Sequence, residues 1–201
     1  MEENPRDVAE LADRMRHGQR VKFLFFWGHR PESDGSAGRG CLSQWWPAPF
    51  TLADRTFATA EHYMMWRKAL LFGDETTAGK ILEARHPRQA KELGRGVVGF
   101  DQDQWDVRRG EIVLAGSVAK FGQHPELLRF LLSTRKRVLV EASPLDRVWG
   151  IGLTADDPDA ENPARWRGLN LLGFALTQAR TLLAESAGAA ETACATRKTA
   201  P

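Results

Sequence analysis

Glu61 and Lys68 stand seven residues apart in the stretch Ala60-Glu61-His62-Tyr63-Met64-Met65-Trp66-Arg67-Lys68. Seven residues is nearly two helical turns, so a helix here puts a carboxylate and an amine on one face about 10 Å apart along the axis. Helical side chains lean toward the N-terminus, which points Lys68 back toward Glu61. Such a pair suits a base and a nucleophile, or an ion pair gripping a polar ligand. Plain helix electrostatics use the same residues: a Glu in a first turn complements the helix dipole, and a Lys is often just solvated. His62 and His29 raise the question of a metal, but Glu-His is not the HExxH pattern and no carboxylate/His spacing repeats. No metal site is expected.

A second constellation is Ser143-Pro144-Leu145-Asp146-Arg147-Val148-Trp149-Gly150. Ser-x-x-Asp with Pro second reads as a capped helix start, which would explain Asp146 by itself. Asp146 and Trp149 also share one side of a turn, and a carboxyl beside an indole can serve as an acid or as an acceptor for ribose hydroxyls. A third is Gly168-Leu169-Asn170-Leu171-Leu172-Gly173, where Asn170 is a natural N-cap and the free N–H groups of a helix start can hold phosphate. At the front of the chain, Phe26-Trp27-Gly28 and Cys41-Leu42-Ser43-Gln44-Trp45-Trp46 put hydrogen-bonding groups among flat apolar faces, as a nucleobase requires.

The elements that must position these residues follow from periodicity and punctuation. A weak amphipathic helix within 1–20, with Val8, Leu11 and Met15, stops at Gly18. The apolar run 21–27 is a buried strand, and the Gly/Ser-rich loop 28–40 is a lid or a disordered segment. Pro49–Leu52 and Thr56–Ala58 flank a polar turn as a hairpin. Helices then span about 60–72, 75–84, 86–94, 103–121 and 124–132, with proline placed for a first turn after His86 and His124. Arg137–Glu141 alternates as a half-exposed strand, 154–167 is an acidic proline-broken loop, and a last helix covers about 170–184. The class is α+β, mostly α, a single compact domain of helices around a few short strands. It divides into an N-terminal extension 1–20, a domain 21–184 and a disordered tail 185–201.

Composition narrows the function classes. The 201 residues carry 42% hydrophobic and 27% charged residues with a net charge of +2, which excludes wholesale disorder and a polybasic nucleic-acid binder. Cys41 and Cys194 are the only cysteines, too few for a disulfide framework or a cysteine-rich zinc site. No apolar run approaches the roughly 18 residues of a membrane span, and residues 1–20 are charged rather than signal-like, so a cytoplasmic protein with no membrane partner is expected. Seven tryptophans against one tyrosine is the unusual count, and Trp27, Trp45, Trp46, Trp105 and Trp149 all sit beside turn-forming residues. Tryptophan in that setting often lines a pocket for a flat ligand.

The order of these motifs resembles the NADAR family, which includes the YbiA-like N-glycosidases. The resemblance rests on Phe26-Trp27, Ser43, Thr59-x-Glu61-His62-Tyr63 with Lys68, Trp105, Ala119-Lys120-Phe121, Asp146-x-x-Trp149-Gly150, and Asn170-x-Leu172-Gly173, and spans about residues 22–183. It implies hydrolysis of an N-glycosidic bond to a ribose, in riboflavin-pathway ribosylamino-pyrimidines or in ADP-ribosylated guanine. Glu61, Asp146 and Lys68 become the catalytic candidates. Trp27, Ser43, Trp45, His62, Trp105, Trp149, Gly150 and Asn170 become candidates for binding substrate. The partner is a small ribosyl substrate or ADP-ribosylated nucleic acid, and no cofactor is implied. Two departures stand out: the family's Phe-Ser-Asn-Phe reads Leu42-Ser43-Gln44-Trp45, and the loop before it is longer. The competing class is a non-catalytic module that binds ADP-ribose or NAD-type ligands. The oligomeric state is left open.

Overall fold

A computed structural model describes residues 4–198, with side chains through residue 188. In chain order the elements are α1 (Val8–Arg16), β1 (Phe23–Phe26), β2 (Phe50–Leu52), β3 (Arg55–Phe57), α2 (Ala60–Leu71), α3 (Glu75–Glu83), α4 (Pro87–Arg95), α5 (Gln102–Gln123), α6 (Pro125–Ser133), β4 (Val138–Glu141) and α7 (Leu171–Lys198). The α+β, mostly helical expectation holds. No helix among the described residues is long and apolar enough to cross a membrane.

Helix α2 lies at the centre. Ala60 through Trp66 are all buried, as befits a helix packed on every side by α3, α4, α5 and the β2–β3 hairpin. The hairpin turns through Ala53 and Asp54, both with positive φ, and lays Phe50 and Phe57 against Tyr63. Helix α1 is no appendage, because Leu11 is fully buried in a second small core with Val138, Val140 and Phe174.

That second core corrects the expected half-exposed strand at 137–141. Val138, Leu139 and Val140 are all buried because β4 runs parallel to β1 between two cores. Leu139 packs with Leu24 and Phe26 in the main core. Val138 and Val140 point to the opposite face, since side chains alternate along a strand. The crossover between these parallel strands contains the hairpin and helices α2 to α6, and the carboxyl ends of β1 and β4 open side by side at Phe26 and Glu141. Ligands of parallel sheets characteristically bind at that edge.

The start of α7 departs from its expected cap. Asn170 has φ +50° and does not cap the helix; its Oδ1 accepts from Glu141 N–H at 3.0 Å and its Nδ2 donates to Leu139 O at 3.0 Å. The N–H groups of Asn170, Leu171 and Leu172 donate to the carbonyls of Gly150, Val148 and Trp149. Three of the N–H groups expected to be free for phosphate are therefore spent inside the fold. A Cβ at Gly173 would lie 2.1 Å from Leu139 O, so only glycine lets α7 ride on β4. Gly173→Ala should therefore destabilise the fold by about 3 kcal/mol through overpacking against a carbonyl that cannot move. Thermal unfolding reads this as a fall in Tm of about 6–12 °C.

Helix α7 also runs past its expected end at 184, through Lys198, where a disordered tail was expected from 185. The stretch is rich in alanine, the strongest helix former. Cys194 lies on this stretch with its side chain outside the described residues, as are residues 199–201.

Candidate active site

Glu61 occupies the first turn of α2 after Thr59, and its backbone N–H donates to Gln44 O at 3.0 Å. Its side chain is only 3% exposed, and Oε1 has no hydrogen-bond partner in the structure. Burial pushes its pKa up to about 7; Lys91 and a hydrogen bond from the Trp45 side chain pull it back, Asp146 pushes it further, and Arg95 opposes. A carboxylate from the chain's first third and one from its last third therefore share one electrostatic site.

Asp146 does not begin a helix, because no helix follows Pro144. Its Oδ1 accepts from Val148 N–H at 2.9 Å and Trp149 N–H at 2.8 Å, closing a tight turn that carries Trp149. This turn leaves the carboxyl end of β4, one loop from Glu141. Trp27 leaves the adjacent end of β1 with its indole 60% exposed.

Trp45 lies beside Glu61, to whose carboxyl its side chain donates a hydrogen bond. Its ring stands between His29, 5.8 Å away, and His86, 5.9 Å away. Ser43 Oγ accepts from Trp45 N–H at 3.1 Å, a local turn that sets the direction of the indole. Beside it opens a recess of about 310 Å³ lined by Trp45, Arg88, Lys91, Glu92 and Arg95. Arg88, Lys91 and Arg95 fall on one face of α4, and none has a salt bridge within the described residues. The loop 28–40 is tied by Glu32 N–H to Ser36 O and by Arg39 N–H to Glu32 Oε1, an ordered segment rather than a disordered one.

Other expected site residues go elsewhere. His62 is 2% exposed and held between Thr59 Oγ1, 2.8 Å from Nδ1, and Ala84 O, 3.1 Å from Nε2. With Ala84 O accepting, Nε2 carries the proton and the ring is a neutral core tie, its pKa lowered by burial. Its assignment as a substrate-binding residue is corrected to a structural one. Asn170 is likewise a fully buried tie between α7 and β4. Lys68 does not meet Glu61: its Nζ donates to Gly94 O at 2.8 Å and lies 4.0 Å from the Phe100 ring and 5.7 Å from that of Trp105. Burial lowers the pKa of this amine. Lys68 and Trp105 thus form a second cluster near the far end of α2. Gly150 spaces the site, since a Cβ there would lie 2.7 Å from Glu141 O.

The NADAR domain model matches residues 25–184. The chain belongs to the NADAR family. It is similar to N-glycosidase R617 of Acanthamoeba polyphaga mimivirus, 42% identical over 164 residues that cover 79% of this chain and 95% of that protein. The solution structure of the Escherichia coli protein YbiA superimposes with a TM-score of 0.63 at 27% identity, covering 87% of this chain and 92% of that one. A chloroplastic riboflavin biosynthesis protein of Zea mays, PYRR, is 30% identical over 155 residues, 71% of this chain and 23% of that protein. By this kinship the NADAR chain is a hydrolase of N-glycosyl bonds.

Five members of this NADAR site were not named as site residues from the sequence. Gln44 is 7% exposed, its Nε2 unpartnered and its backbone carbonyl accepting from Glu61 N–H. Lys91 and Arg95 were legible as helical spacing with Arg88. Lys120 is 1% exposed and donates to Cys41 O at 2.7 Å and Ser43 O at 2.8 Å, anchoring the segment that bears Gln44 and Trp45. Its signal was its place in the buried stripe Ile112, Val113, Gly116, Ser117, Lys120, Phe121. Glu141, last residue of β4, was hidden by reading that strand as half-exposed. Cys41 is buried with its thiol pushed up to about 12, which removes it as a nucleophile.

Proposed function

We propose that this chain hydrolyses the N-glycosidic bond between a phosphorylated or ADP-linked ribose and a base or amine. The observation that carries this reading is the buried carboxyl of Glu61, its Oε1 unpartnered, in the field of Asp146. Breaking such a bond passes through an oxocarbenium-like state, which needs negative charge near C1 and an acid or base within reach. Glu61, poised near neutrality, activates water or steadies the cation. Asp146, with Oδ1 taken by two amides, acts as an acceptor for ribose hydroxyls. Trp45, Trp149 and Trp27 provide flat apolar faces for the base. The recess with Arg88, Lys91 and Arg95 suits the phosphate or diphosphate, because three cations on one helix face, none held in a salt bridge within the described residues and with Glu92 the only acid in the lining, favour an anionic ligand.

Lys68, held by Gly94 O in the second cluster, is read as holding the far end of the substrate; attack of its amine on C1, to form an imine after ring opening, would require it to leave that carbonyl and reach toward Glu61. Borohydride added during turnover separates them. A trapped Lys68 adduct assigns the imine route, and its absence assigns the nucleophile to water.

The test of the activity is a parallel assay on a ribosylamino-pyrimidine 5′-phosphate and on an ADP-ribosylated guanine oligonucleotide. Release of free base from at least one is expected; tight calorimetric binding of ADP-ribose with no product from either would make this a binding module instead. Kinship with a protein named for riboflavin biosynthesis supports the first substrate. Neutralising the rim by Arg88→Gln with Arg95→Gln should raise KM by about 10-fold or more while kcat stays within about 3-fold, the loss expected for charge-assisted contacts made equally in ground and transition states.

A further inference from the structure

The hydrolytic reading above leaves one half-buried acid without a task. Glu141 ends β4 beside Asp146, and Oε2 is buried with no hydrogen-bond partner. Its backbone is fixed on every side: N–H donates to Asn170 Oδ1 at 3.0 Å, the carbonyl accepts from Ile151 N–H at 2.9 Å, and Gly150 packs against that carbonyl. A carboxyl held this firmly, facing the site and satisfied by nothing in the protein, is matched to a ligand atom.

Resting on the N-glycosidase reading, we propose that Glu141 is the proton donor to the leaving nitrogen, with Glu61 as the base and Asp146 as the ribose-hydroxyl acceptor. In this step the C1–N bond breaks, its electron pair leaves on nitrogen, and the Glu141 proton goes to that nitrogen. Water oxygen bonds to C1 and gives its proton to Glu61. The carboxyl cluster gains one proton and loses one, so its charge is unchanged, and transfer between Glu61 and Glu141 restores the starting state.

The surroundings of Glu141 support a protonated resting form. Burial raises its pKa to about 8, Asp146 from the following turn and Glu61 from α2 raise it, and Lys91 from α4 opposes them. Glu61 is drawn back toward its charged form by Lys91, Arg95 and the Trp45 side chain, whereas at Glu141 only Lys91 opposes Asp146 and Glu61. Two neighbouring acids whose environments push them apart take the acid and base roles respectively. Asp146 is less suited to donate, since two backbone N–H groups already point at its Oδ1.

The experiment is a pH–rate profile of kcat/KM on a ribosylamino-pyrimidine 5′-phosphate for wild type, Glu141→Gln and Glu141→Asp. Wild type should lose activity as pH rises through about 8. Glu141→Gln should fall by roughly 100-fold or more at pH 7 and lose that alkaline limb, the usual size of an acid–base contribution. Glu141→Asp should recover the limb at a reduced rate. On nicotinamide mononucleotide, whose pyridine leaves without needing a proton, Glu141→Gln should lose less than about 5-fold, because no acid is required there. An alkaline limb that survives in Glu141→Gln, or equal losses on both substrates, overturns the assignment and leaves the hydrolase reading intact. Wild-type failure to release base from these two compounds and from the ADP-ribosylated guanine oligonucleotide overturns the hydrolase reading, and the donor role falls with it.

Discussion

Glu61→Gln loses at least ~100-fold in turnover and gains stability above pH 7. The first effect follows from removing the group that accepts the water proton. The second follows from what the native fold demands of this carboxyl. Its pKa stands at about 7 against 4.5 for a free glutamate, so between those values the folded protein holds a proton that the unfolded chain releases. Its contribution to stability is fully present below pH 4.5 and is lost as pH rises through 7. A shift of this size is worth about 3 kcal/mol, and Gln carries no charge to desolvate. The variant and wild type should therefore unfold alike near pH 4 and separate by up to about 3 kcal/mol at pH 8, measured by urea unfolding. Near wild-type turnover would remove Glu61 from the chemistry. A variant that is less stable at pH 8 would show the side chain to be paired in solution.

Lys120→Met weakens the fold and the activity together. Methionine fills the space of the lysine stem, so the packing of α5 survives, but the carbonyls of Cys41 and Ser43 lose their donor. A buried acceptor left unpaired costs about 1–3 kcal/mol, and there are two. Burial pulls the lysine pKa down to about 7 from 10.5, so its contribution is fully present above 10.5 and is lost as pH falls through 7. The deficit of the variant should be smallest below pH 7 and widen toward pH 10, in thermal melts across that range. Activity should fall at least about 10-fold at pH 8, because the freed segment carries Gln44 and Trp45, and a misplaced pocket wall is costly in rate. A variant with unchanged melting temperature and kinetics would mean that water replaces the amine at both carbonyls.

The sequence made the helices legible because their boundaries are chemical: Asp7, Asp74 and Asp101 cap by side-chain hydrogen bonds, and Pro87 and Pro125 open first turns. Glu61 and Asp146 were legible as candidates because an acid at an apolar helix start and an acid beside an indole are unusual companions. What sequence could not reveal was partner choice. His62, Asn170 and Lys68 have the residue types of binding groups, yet Ala84, Leu139 and Gly94 claim their polar atoms through contacts more than twenty residues along the chain, with Thr59 holding His62 locally. Glu141 shows the same limit in reverse. Alternation marked it as surface, whereas a strand between two cores has no wet face, and its terminal carboxyl opens into the site.

The pairing of Phe23–Phe26 with Val138–Glu141 has a consequence for synthesis of the chain. Strands that are distant in sequence meet slowly, since closing so long a loop must precede any reward from the contact. Glu141 and Asp146 emerge from the ribosome long after Glu61, and the carboxyl edge on which they converge exists only once β4 has docked. On the proposed roles, a growing or truncated polypeptide ending before that strand lacks both acids, so cleavage competence would arrive in one step with completion of the fold.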